Sequence, residues 1–148
     1  MMRLTIGRIL LIIGLIIGLK SWQMTIQHVG DPTYILISEF TKGSTHAWYH
    51  AFREAIGDLA AMVILLLTFL GGVSCRTPIT WYNCLILMVG YYAPFWIGTP
   101  FVPELAAPHM KAEIIHILMA FFPTVGLFVS RSEFFKVSKK ISRETISF

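Results

Sequence analysis

Apolar residues fall along the chain in four long blocks separated by shorter polar stretches. The first apolar core, Ile9 to Leu19, follows a charged start that includes Arg3 and Arg8. The residues at its far end, Leu19-Lys20-Ser21-Trp22, lack the small-x-small pattern of a cleavage site. The block therefore reads as an uncleaved helix over residues 4–24 rather than as a signal peptide. Gly7, Gly14 and Gly18 make a small-residue stripe along it, which lets another helix approach closely.

Residues 25–44 form the first loop, with Gly30-Asp31-Pro32 as its turn signal. The short, partly apolar stretch from Tyr34 to Phe40 suits a position along a membrane surface or over the mouth of a bundle. The second helix is expected over residues 45–73. Gly71-Gly72 ends it, and Arg76-Thr77-Pro78 makes a turn short enough to make the second and third helices antiparallel neighbours. The third, residues 79–99, has no charged residue and carries aromatic rings at both ends. Pro94 kinks it near its exit, and Pro100, Pro103 and Pro108 stiffen the turn that follows. The fourth runs over residues 109–130 with Pro123 midway, followed by a basic tail over 131–148. The predicted fold is all-α: a single membrane domain of four spans in an up-down-up-down four-helix bundle with short connections.

Composition supports the bilayer as solvent. Hydrophobic residues are 55% of the 148 and charged residues 14%, against roughly 25% charged in soluble domains. The net charge of +4 does not point to nucleic acid, because the basic residues flank apolar runs instead of gathering on one face. Arg3, Arg8, Arg76 and the tail residues Arg131, Lys136, Lys139, Lys140 and Arg143 share one side of the predicted bundle. Lys20, Lys42, Arg53 and Lys111 fall on the other. That excess makes both termini cytoplasmic, and the tail would rest against anionic headgroups. Cys75 and Cys84 match neither a disulfide framework nor a zinc spacing and read as ordinary thiols.

The candidate chemistry lies in the second and fourth helices. His46, His50, Glu54 and Asp58 follow one another at i+4, and His109, Glu113 and His116 at i+4 and i+3. At 1.5 Å per residue, Glu54 and Asp58 sit roughly 12 and 18 Å below His46, and Glu113 and His116 roughly 6 and 10 Å below His109. The two helices are codirectional, so the sets fall at similar depths. Ionisable groups cost roughly 2.5–3.5 kcal/mol each at the centre of a span and turn toward a bundle interior. The sequence thus predicts a pocket in the non-cytoplasmic half, lined by His50, Glu54, Asp58, Glu113 and His116.

Several uses fit such a pocket. His46, His50, Glu54, His109, Glu113 and His116 are candidate ligands for a transition metal (Zn, Fe, Mn or Cu), and Glu113-x-x-His116 has the i+3 geometry of di-iron bundles. Glu54, Glu113 and His50 are the acid and base candidates for an enzyme acting on a lipid-soluble substrate. Four-span sterol isomerase-like membrane proteins also combine a His with carboxylates in a bundle cavity. That likeness is confined to helix count, orientation and the spacing His50-x-x-x-Glu54. The same residues could instead fix helix packing in an accessory or structural subunit of a membrane complex, the leading expectation. Proton or ion translocation would require a homo-oligomer. A haem between His50 and His116 would need clear space between helices and ranks last. The sequence carries no phosphate-binding glycine loop, no Gly-x-Ser-x-Gly and no His-Glu-x-x-His.

Overall fold

The computed structural model describes residues 2–34, 46–95, 101, 107 and 110–145, the side chains of His46 and of residues 137–145 excepted. Among them are four helices and no strand: α1 (Met2–Ile26), α2 (His46–Leu70), α3 (Pro78–Tyr91) and α4 (Met110–Thr145), with a single 3-10 turn (Val73–Cys75) between α2 and α3. The surface-lying stretch expected after Tyr34 and the proline turn before α4 lie outside the described residues.

Each helix runs antiparallel to the next, as three tryptophans and one arginine record. The Trp22 indole donates to the Ala55 carbonyl at 3.0 Å, while Arg8 Nε donates to the Phe69 carbonyl at 2.7 Å, tying both ends of α1 to α2. The Trp81 indole donates to the Leu127 carbonyl at 3.1 Å, tying α3 to α4. The Trp48 indole donates to the Asp31 carbonyl at 2.9 Å, joining the start of α2 to the turn after α1. α1 packs most extensively on α4 and also on α2; α3 packs on α4 and, more sparsely, on α2. α2 and α4 therefore face each other across the diagonal.

The α1–α4 contact is close because glycine leaves room for it. A Cβ on Gly7 would lie 2.8 Å from the Gly126 carbonyl oxygen, and one on Gly14 would collide with the Pro123 ring. A Cβ on Gly18 would lie 2.9 Å from the Met62 methyl, so the stripe serves two neighbours. Leu11, Leu15, Leu65, Phe69, Trp81, Met88, Met119 and Leu127 fill the core between the helices.

The outer face is as apolar as the interior. Ile16, Leu67, Ile86 and Phe128 are exposed, one from each helix. Two helical stretches, Met2–Ile26 and Met110–Lys136, are long and apolar enough to cross a membrane.

Helix ends differ from the sequence reading in two places. α3 ends at Tyr91, with a turn at Tyr92 and helical residues again at 93–95, while the expected stretch 96–99 lies outside the described residues. Fourteen residues rise only about 21 Å, short of the roughly 30 Å hydrocarbon core. Pro94 has no N–H to continue the ladder, and its ring would meet the carbonyl four residues back. At its start α3 is well defined: Thr77 and Thr80 form a capping box, with Pro78 in the first turn. α4, by contrast, continues to Thr145 instead of stopping at 130. After Gly126 the sequence has neither Gly nor Pro to interrupt it, and Glu133 and Lys136 pair one turn apart.

Candidate functional site

A partly open cavity of about 720 Å³ lies at the end of the molecule where α1 finishes and α2 begins. All four helices contribute to it. Ser21, Met24 and Thr25 come from the last turns of α1, and His28, Asp31 and Tyr34 from the segment beyond. Glu54 and Asp58 come from α2, Gly90 and Tyr91 from the end of α3, Pro94 and Phe95 from just past it, and Ala112, His116 and Met119 from α4. The cavity lies at the height where α3 ends at Tyr91.

Asp58 is the most enclosed acid of the wall, 7% exposed. The Tyr91 side chain, on the neighbouring helix α3, is the polar group nearest in effect to its carboxylate. Desolvating a carboxyl group is costly without a polar partner, and Tyr91 stands on the side from which one can come. Glu54 lies one turn earlier on the same face of α2 and is exposed on the cavity side. His116 stacks on Phe95 with ring centroids 4.7 Å apart, and His28 stacks on Tyr34 at 4.0 Å. Asp31 Oδ1 accepts from the Thr33 amide at 2.8 Å and from the Thr33 hydroxyl at 2.7 Å. These two bonds hold its carboxyl below the usual aspartate range.

The structure brings together Glu54, Asp58 and His116 from the predicted set and leaves two of its members elsewhere. His50 is exposed on α2, and its Nδ1 lies 3.1 Å from Arg53 Nη2. Its residue sits one turn before Glu54, and the 40° drift of each i+4 step carries it around to the outer surface. Glu113 is 6% exposed but does not line the cavity. Its Oε2 accepts from the Ala107 amide at 2.8 Å, fastening the segment that leads into α4. The predicted meeting of His50 and Glu54 with Glu113 and His116 is thus replaced by a wall in which α3 stands between the diagonal pair. The chain matches no family model, no curated protein and no solved structure.

Among the described residues, no three His, Cys, Asp or Glu side chains come together where they could hold a metal ion. His109 and the His46 side chain lie outside the described residues. Cys84 is buried, while Cys75 is exposed.

Sequence reasoning missed the aromatic half of the wall. Tyr91 and Phe95 read as interface residues or lipid-facing bulk. A signal was present: Tyr91 carries a hydroxyl at the far end of a helix that starts where α2 stops, and Asp58 needs a donor at that height.

Proposed function

We propose that the protein is a multi-pass membrane protein whose cavity binds a small, largely apolar organic molecule, the Asp58–Tyr91 pair fixing its polar end. The observation that carries this reading is the cavity itself, in whose wall of polar and apolar side chains the Asp58 carboxylate is the most enclosed acid. Ligand sites commonly occupy roughly 300–1,000 Å³ and combine apolar walls with a few placed polar groups. The 720 Å³ enclosed here falls in that range, and Met24, Phe95, Ala112 and Met119 supply apolar surface.

Membrane placement is supported by the apolar outer face and by the two long apolar helices. α2 joins them as a span of 25 residues whose outer face carries Val63, Ile64 and Leu67. The basic residues of the α4 end support a cytoplasmic location for the termini, which would put the cavity in the opposite half. The ligand would then enter from the membrane or from the non-cytoplasmic side.

The test is direct. The full chain is purified in a mild detergent and extracted with organic solvent, and the extract is analysed by mass spectrometry. A small molecule should be recovered in near-stoichiometric amount. It should be lost from Asp58→Asn and from Gly90→Leu, since Gly90 lines the cavity and a Cβ there meets no atom within 4 Å. Equal recovery from all three folded proteins would refute cavity binding. Recovery of a second protein with a ligand-free cavity would favour the accessory-subunit role instead.

A further inference from the structure

We infer that the ligand is an organic cation, a protonated or quaternary amine attached to an apolar body; this rests on the cavity being a ligand site. Charge is the first argument. Among the described residues of the wall are Asp31, Glu54 and Asp58, and no Lys or Arg. Asp31 is satisfied by Thr33, which leaves Glu54 and Asp58 as the acidic groups turned to the interior. Of the basic side chains on the adjoining stretches, Lys20 donates to Gln23 at 2.8 Å, and Arg53 contacts His50 and lies over the Tyr49 ring at 5.7 Å. A carboxylate withdrawn from water without a countercharge is costly, and an incoming cation removes that cost.

The second argument is the aromatic lining. Tyr34, Tyr91 and Phe95 all face the cavity. A cation within about 6 Å of an aromatic face is attracted by the ring quadrupole, and rings grouped around a cavity are the usual receptor for quaternary ammonium groups. Two of these rings are backed by stacked histidines, which fixes their orientation. An anionic ligand would meet like charge at Glu54 and Asp58. A wholly apolar one would leave the Asp58 carboxylate facing hydrocarbon. The remaining wall, Met24, Ala112 and Met119, accommodates the apolar body.

The test compares two probes of the same shape on the full chain in neutral detergent. Benzyltrimethylammonium carries the charge, and neopentylbenzene is its neutral carbon isostere. Saturation-transfer NMR and tryptophan fluorescence should show saturable binding of the ammonium compound, about tenfold tighter than the isostere. Glu54→Gln should weaken the ammonium compound several-fold and leave the isostere unchanged, and the exposure of Glu54 keeps the substitution from disturbing packing. Equal affinity for the two probes overturns the cationic class while leaving the cavity reading intact. Binding of neither overturns both.

Discussion

Gly7 and Gly126 meet backbone to backbone. A Cβ on the first would lie 2.8 Å from the carbonyl oxygen of the second, and a Cβ on the second 2.7 Å from the carbonyl oxygen of the first. No side chain can be inserted on either helix without moving the other. Gly126→Leu should therefore separate α1 from α4 and lower thermal stability in detergent, with a cost of about 1–3 kcal/mol or more for overpacking. Gly57 provides the control: a Cβ there meets nothing within 4 Å, so Gly57→Ala should be neutral or gain up to about 1 kcal/mol in helix propensity. Equal destabilisation by both variants would contradict the close α1–α4 approach.

Asp58 of α2 and Tyr91 of α3 are polar neighbours across a helix pair that otherwise packs sparsely, which sets up a hydrogen bond between them. Tyr91→Phe should cost about 1 kcal/mol, in line with interhelical hydrogen bonds measured inside membranes. A double-mutant cycle with Asp58→Asn should show coupling of about 0.5–1.5 kcal/mol. Additive effects would mean that the two groups do not interact.

Arg8 closes the end of α2. Its guanidinium donates to the Phe69 carbonyl at 2.7 Å and reaches the carbonyls of Leu70 and Gly71, each at 3.5 Å. Arg76 also donates to the Gly71 carbonyl. Carbonyls at a helix C-terminus have no intrahelical partner and attract cations. Arg8→Ala should increase amide hydrogen exchange at the end of α2 and reduce stability by about 1–3 kcal/mol. Arg3→Ala, at an exposed position, should do neither.

The turn after α1 carries a pH signature. Thr33 donates twice to Asp31, which lowers the Asp31 pKa. A depressed folded-state pKa means that the stabilisation is complete above the ordinary aspartate value, about 3.9. It is lost as pH falls through the folded-state value. Carboxyl carbon NMR of Asp31 should titrate below 3.9, and Thr33→Ala, which removes the hydroxyl donor, should move the midpoint up. An unchanged midpoint would show that the Thr33 hydroxyl is not the cause.

The sequence by itself determined the helical class, the helix starts at Met2, His46, Pro78 and Met110 to within a few residues, and the glycine stripe of α1. These follow from local signals: long apolar runs, Thr77-Pro78 at a helix start, and residues too small to prevent contact. It also marked Glu54, Asp58 and His116 as polar groups inside apolar helices, because their cost depends on the residue and its place in the run. Only the tertiary structure decided which of the marked groups share a cavity. Depth can be counted along a helix, but rotation and neighbour choice depend on packing. With α1 pressed onto α4, α2 and α4 fall on the diagonal and α3 stands between them. His50 then turns outward, Glu113 holds Ala107, and Asp58 finds Tyr91. The extent of α3 and α4 also depended on more than apolarity: Pro94 ends one early, and an unbroken run of helix formers carries the other past its apolar stretch.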